Sequence, residues 1–174
     1  MTENEPRTND DKREQLFALL EDLSSVMMIS SATGQITAAR ARPMSIARVD
    51  EDGTLYFLTS VDTSKVDEVQ SDEVGMCTGQ SKTQYVSLVG RFQVVRDRAL
   101  VDQLWSKMAD AWFEQGKDDP RVRVLIFRPS AAELWDMSGA KGVGYLIDVA
   151  KAILGGAPPK ESRDIHTKVD VSQR

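Results

Sequence analysis

A mainly β fold of the α+β class, an antiparallel barrel or sandwich with helices at its periphery, is what this sequence predicts. Three observations carry that reading. Strand-like runs outnumber helical ones. Turn signals such as Thr33-Gly34 and Asp50-Glu51-Asp52-Gly53 keep the connections short. Between Tyr85 and Arg96, Val86, Leu88, Phe92 and Val94 alternate with Ser87, Arg91 and Gln93, which is the period of a long strand with one wet or interfacial face.

Taken in order, residues 1–9 are polar and read as a mobile N-terminus, and Asp10 or Asp11 is the expected cap of a helix whose stripe is Leu16, Phe17, Leu19, Leu20 and Leu23. Val26–Ser30 and Gln35–Ala38 read as two strands around Thr33-Gly34. An arginine-bearing strand follows, and Leu55–Thr59 returns from it through the 50–53 turn. Thr63, Ser64 and Lys65 lead into a short helix with Val66 and Val69 three apart. Val74–Thr78 is the fifth strand and Tyr85–Arg96 the sixth. Asp97 caps a helix carrying Leu100, Val101, Leu104, Trp105 and Met108, expected to reach Phe113 before Gly116 and Pro120 break it. Val122–Phe127 closes the sheet, Pro129-Ser130 ends or bends that strand, and Ala131–Asp136 continues it. Val143, Leu146, Ile147 and Ala150 mark a third helix ending at Gly155-Gly156. Residues 10–156 therefore form one domain, and residues 157–174, with Pro158-Pro159 and many charges, read as a flexible tail.

Composition narrows the function classes. In 174 residues, 41% hydrophobic and 28% charged residues are the proportions of a globular protein, and a net charge of −5 sets up no field for nucleic acid or an anionic membrane. Cys77 is the only cysteine, so neither an internal disulfide nor a cysteine metal cluster forms, and it reads as a small buried hydrophobe. No run approaches the roughly 20 apolar residues of a membrane span, and the acidic start Met1–Glu5 is unlike a signal peptide, so the expected location is the cytoplasm. His166 falls in the charged tail, with no second histidine to make a metal pair and no catalytic role expected. Asp118-Asp119 and Asp50-Glu51-Asp52 are turn acids, and no nucleophile with its base stands out.

One stretch specifies an anion site. Strand alternation puts Arg40 and Arg42 on one face, with Ala39 and Ala41 on the other. The hydroxyls of Thr59, Ser60, Thr63 and Ser64 then run into Lys65 at a helix start, where unpaired amides carry positive partial charge. Cations, hydroxyls and free amides converging on one point suit a phosphate.

The Arg42-Pro43-Met44 strand, the Thr59-Ser60 to Ser64-Lys65 junction, Tyr85-Val86-Ser87-Leu88-Val89-Gly90, and Ala111-Trp112-Phe113 followed by Gly116-Lys117-Asp118-Asp119-Pro120 occur in an order and spacing that resembles the flavin-binding split-barrel family of pyridoxamine 5'-phosphate oxidase, over residues 16–136. The general stress protein subgroup is the nearer likeness. The resemblance implies an antiparallel split β-barrel and a homodimer with FMN, or alternatively FAD, at the subunit interface. It implies cofactor contacts from Arg40, Arg42, Pro43, Met44, Ser45, Thr59, Ser60, Ser64 and Lys65, with Trp112 and Trp135 as apolar walls. Two departures matter. Ala47 stands where the oxidase has a basic residue, with Arg48 on the opposite face, and the chain continues past Trp135 into Met137-Ser138-Gly139-Ala140-Lys141-Gly142 where the oxidase has an arginine- and histidine-containing substrate segment. The expectation is a flavin-binding protein, acting as a flavin-dependent oxidoreductase on a small molecule that the sequence does not specify. The alternatives are a flavin carrier without turnover, another enzyme on the scaffold (the oxidase itself, a deazaflavin-dependent reductase or a haem-handling protein), and a dimer that has lost its ligand.

Overall fold

Alternation along the strands decides which side of the sheet becomes core. The computed structural model describes residues 8–138 and 165–171. Its strands are β1 (Ser25–Ser30), β2 (Arg40–Ser45), β3 (Arg48–Val49), β4 (Leu55–Ser60), β5 (Val74–Gln80), β6 (Gln84–Val95), β7 (Val122–Asp136) and β8 (His166–Asp170). They form one antiparallel sheet in the order β2-β1-β5-β6-β7-β4-β3, with β8 also paired to β7. Strands β2 and β3 lie at opposite ends of that order yet only Ile46 and Ala47 separate them in the chain. The Ile46 amide donates to the Ser24 carbonyl on the β1 side at 3.0 Å, and the Ala47 amide to the Tyr56 carbonyl of β4 at 2.8 Å. The sheet therefore curls back on itself as a half-barrel. Closing an antiparallel sheet this way covers strand edges that would otherwise expose unpaired amides.

The inward faces of β1, β4, β5, β6 and β7 fill the barrel with residues such as Met28, Phe57, Cys77, Leu88, Phe92 and Phe127, all buried. The Phe92 and Phe127 rings meet at 4.6 Å between centroids. Helix α1 (Asn9–Asp22) sets Leu16, Leu19 and Leu20 against this core. Its cap is Thr8, whose hydroxyl accepts the Asp11 amide while the Asp11 carboxylate accepts the Thr8 amide. Asp11 thus acts from inside the first turn, and the expected acidic cap is corrected to a reciprocal capping box. Helix α2 (Ser64–Ser71) buries Val66 and Val69. A smaller cluster lies on the other face of β7, where Val122, Val124 and Ile126 meet Val101 and Leu104 of α3 (Arg98–Leu104).

Strand β7 runs through Pro129 by a bulge. Its register against β6 shifts at Val89/Gly90, opposite Pro129, and a Cβ on Gly90 would lie 2.2 Å from the Arg128 carbonyl oxygen. Only glycine fits so close an approach. Before the bulge β7 pairs with β4, and beyond it the same edge is taken by β8.

Four further expectations are corrected. Gln35–Ala38 is not a strand; Ile36–Ala38 is a single 3-10 turn, fully outside the sheet, because β2 already occupies the free edge of β1 and Gln35–Ala38 has no buried face. The arginine-bearing strand does not form a hairpin with Leu55–Ser60. It pairs with β1, and the 50–53 turn, with Gly53 at φ 81°, joins the two-residue β3 to β4. The Asp97-capped helix stops at Leu104, where an extended Trp105 turns its ring onto Phe113 before the short α4 (Lys107–Asp110). Within the expected tail, His166–Asp170 is strand β8, bound along β7 and tied to α1 through Asn9 and the Asp170 backbone. The third helix expected around Val143–Ala150 lies outside the described residues.

Candidate functional site

Strand β2 delivers its residues to two different places. Its even positions share the face of buried Met44 and of Met28 on β1, so Arg40 and Arg42 point toward the end of the barrel, Arg42 largely covered and Arg40 68% exposed. There Glu68 of α2 meets them. The Arg42 Nη2 lies 2.6 Å from Glu68 Oε2, with the two side chains 19% and 8% exposed, and Arg40 Nη1 lies 3.8 Å from Glu68 Oε1. The Ser30 hydroxyl donates to the same carboxylate at 2.6 Å. Burial pushes the Glu68 carboxyl up, but the hydrogen bonds from Ser30 and Arg42 and the charges of Arg42 and Arg40 outweigh that and hold it below its usual range.

Lys65, one turn before Glu68 on α2, completes the group. Burial pushes its ammonium below the usual value, the Arg42 charge adds to the push and Glu68 opposes it. Among the described residues no carboxylate comes within ion-pair distance of Lys65. Three cations thus face one carboxylate at the barrel end. The hydroxyls expected beside them are close in the chain but partly engaged. Thr59 is buried with its Oγ1 3.4 Å from that of Thr63, and Thr63 donates to the Ser60 carbonyl at 2.8 Å. Ser64 is exposed at the first turn of α2. No side chain caps that turn.

The odd positions of β2 face outward. Pro43 stands directly opposite Met27, and both line a pocket of about 470 Å³ on the outer face, together with Ser87, Tyr85 and Trp135. Ser45 pairs with Ser25 at its border. Trp135 sits opposite Tyr85 in the register and stacks on His166 of β8, centroids 4.9 Å apart at an interplanar angle of 11°. His166 Nε2 in turn lies 3.1 Å from Glu133 Oε2.

The sequence-predicted residues therefore divide. Arg40, Arg42 and Lys65 are gathered by Glu68; Pro43 and Trp135 line the outer pocket; Met44 is core at 7% exposure; and Trp112 is 75% exposed, in neither place. Arg48, across from Ala47's face, is taken up elsewhere. Its guanidinium lies 4.2 Å from the centre of the Tyr56 ring and 2.8 Å from Asp50, which also accepts the Tyr56 hydroxyl at 2.7 Å. The sequence reading missed Glu68, Ser30 and His166. Glu68 was signalled by its place three residues after Lys65, on the same helical side. Ser30 and His166 are set by strand pairing and carried no local signal.

The Asp118-Asp119-Pro120 turn is structural. Asp119 is 1% exposed, accepts the Arg121 amide at 2.9 Å, and grips the Arg121 guanidinium through both oxygens at 3.1 and 2.8 Å.

The protein is an antiparallel half-barrel with a cation-rich end and an aromatic outer pocket. The chain belongs to the pyridoxamine 5'-phosphate oxidase like family, whose model matches residues 11–160. Among solved structures it is similar to a candidate general stress protein 26 from Jannaschia sp. CCS1, at 29% identity and a TM-score of 0.69, covering 92% of this chain and 99% of that one. It is also similar to the general stress FMN/FAD binding protein of the phytopathogen Xanthomonas citri, at 25% identity and 0.61, covering 76% and 93%. A pyridoxamine 5'-phosphate oxidase-related, FMN binding protein from Nostoc punctiforme PCC 73102 shares the fold at 13% identity and 0.56, covering 80% and 88%. No curated protein matches the chain. Among the described residues no helix is long and apolar enough to cross a membrane, and no group of acids, histidine and cysteine could hold a metal.

Proposed function

We propose that this protein binds FMN, with the phosphate held at the barrel end by Arg40, Arg42 and Lys65. The observation that carries the reading is the surplus of positive charge there: three cations share one carboxylate, and the half-buried Lys65 ammonium has no acidic partner within ion-pair distance among the described residues. A buried cation without its counter-charge is costly, and an anionic ligand removes that cost. The donor set fits a phosphate monoester, with two planar guanidinium forks, an ammonium and the uncapped first turn of α2. The flavin-binding description of the Xanthomonas citri protein supports the same reading.

Bound flavin would supply the redox chemistry, by electron transfer at its ring. This chain's own residues bind and shield. Pro43, Tyr85 and Trp135, on the sheet face opposite the cations, offer the flat apolar surface that such a ring needs, which a flavin would meet with its phosphate held by the other copy of a dimer, and the His166 stack fixes the Trp135 plane. The pocket lies on the outer face, so we assign its completion to a second copy of the chain. Support for that is the row Ala41, Ile29, Met76, Val89 and Ala131, which the register lines up across β2, β1, β5, β6 and β7 on the outer face, with Val89 41% exposed. The reading is thus a homodimeric flavin-binding protein of the general stress type, with the oxidoreductase activity residing in its flavin.

The test is a fluorescence titration of purified protein with FMN and with riboflavin. FMN should bind at least about tenfold more tightly, since one charge-assisted contact alone is worth about 1.5–3 kcal/mol. Equal affinities would move the site away from the cation cluster.

A further inference from the structure

We propose that Glu68 is the built-in counter-ion of the cation cluster and sets how strongly that cluster holds a phosphate monoester; the proposal rests on the phosphate-binding reading above. Val66 and Val69, its neighbours on α2, are buried and apolar, so position 68 faces protein and not solvent. A carboxylate at such a place is retained only when its partners repay its lost hydration. Ser30 and Arg42 each reach it at 2.6 Å, and Arg40 stands at 3.8 Å. These contacts draw Arg42 from β2 and Ser30 from β1 onto a helix that reaches the barrel from elsewhere in the chain. Glu68 thereby holds the cations together before any ligand arrives.

The same charge acts against the ligand. A phosphate monoester carries about −1.5 to −2 near neutral pH, and Glu68 both repels it and claims part of Arg42. Its removal leaves three cations facing the phosphate without an internal competitor. By Coulomb's law the effect scales with the ligand charge, so it falls on the phosphate of FMN, less on the singly charged phosphates of FAD, and not on riboflavin. An isolated structural role for Glu68 would instead change all three ligands alike.

Glu68→Gln keeps the shape and the Ser30 contact while deleting the charge. It should tighten FMN binding about tenfold and leave riboflavin within about twofold, by calorimetric titration. Unchanged or weaker FMN binding by the folded variant would overturn the proposal. Should the single variant not fold, Arg42→Gln and the pair Arg42→Gln/Glu68→Gln decide the question, since the pair removes both charges of the 2.6 Å contact together. The second substitution should restore about tenfold of the FMN affinity lost to the first; no restoration overturns the proposal. Inorganic phosphate, titrated against wild type and Glu68→Gln, separates the two readings. If wild type binds FMN and riboflavin equally, the flavin assignment fails, yet Glu68→Gln must still bind phosphate more tightly. Equal phosphate affinities in both proteins reject the counter-ion role itself.

Discussion

Replacing Arg42 by Ala should destabilise the protein in a pH-dependent way that identifies Glu68 as the charge it serves. The Arg42 side chain is 19% exposed and the Glu68 side chain 8%, with 2.6 Å between them. Removing one partner of a buried pair costs about 3–5 kcal/mol because the other charge stays behind. Here the Ser30 hydroxyl at 2.6 Å and Arg40 at 3.8 Å remain, so about 2–3 kcal/mol is expected at pH 7. The sign with pH follows from linkage. Glu68 sits below its usual range when folded, so its stabilisation is present above the unfolded value of about 4.3 and is lost as pH falls through the lower folded value. In the variant the balance of burial over pairing shifts the folded value upward. Protonation then relieves the stranded charge at a higher pH than in wild type. The stability gap should accordingly be widest at neutral pH and narrow as pH falls through about 5 to 4. Urea unfolding of both proteins across pH 7 to 4, followed by circular dichroism, measures it. A gap under about 0.5 kcal/mol at pH 7, within the range of an ordinary surface substitution, refutes the argument, and so does a gap as wide at pH 4 as at pH 7.

Three further outcomes follow from other parts of the molecule. Gly90→Ala should lower the thermal midpoint by several degrees at an overpacking cost of about 1–3 kcal/mol, because its Cβ would press on the Arg128 carbonyl at 2.2 Å and the Pro129 Cα at 2.8 Å; an unchanged midpoint in scanning calorimetry contradicts the bulge. Val89→Asp places a charge in the middle of the outer apolar row, so light scattering should show wild type as a dimer at micromolar concentration and the variant as a monomer with unaltered circular dichroism, whereas a monomeric wild type dismisses the homodimer. Asp119→Ala removes the grip on Arg121 and should lower the melting temperature and speed exchange of the Arg121 and Val122 amides while leaving FMN affinity unchanged; weaker FMN binding would make that turn part of the site.

Strand content and the inward alternation of β6 were legible in the sequence because period-two patterning is local, as in Val86, Leu88 and Phe92, all buried. The helix over Asn9–Asp22 was legible from its leucine stripe, and the long β7 through Pro129 from its flanking apolar runs. What local pattern does not contain is which edge a strand takes. Gln35–Ala38 looked like the natural partner of β1 by proximity, but Arg40–Ser45 buries Met44 against the core and offers a full six-residue register, and so it wins the edge. β8 was illegible for a similar reason. His166–Asp170 is polar at every position but Val169, and its buried apolar residues amount to Val169 with Val171 following, too little to announce a strand without β7 beside it.

The cation cluster shows how residues can be grouped by sequence alone even when the strand pairing is read wrongly. Arg40 and Arg42 share a face in any strand, whichever neighbour that strand chooses, so alternation alone grouped them. The neighbour determines where that face points. Paired with β4, the arginines would have approached Lys65 along the hairpin; paired with β1, they reach α2 across the barrel end, beside Ser30. That route makes Glu68, and not the hydroxyls of Thr59 and Ser60, the nearest partner of Arg42. The cations were thus readable from sequence and the spacing from Lys65 hinted at Glu68, but that Glu68 takes Arg42 was not, because it depends on closure of the sheet through Ile46 and Ala47. On the phosphate-binding reading proposed above, the charge that a phosphate would meet here is the sum of both. Its affinity is therefore a property of the barrel closure as much as of the arginines, and substitutions that loosen that closure should weaken anion binding without touching a single cation.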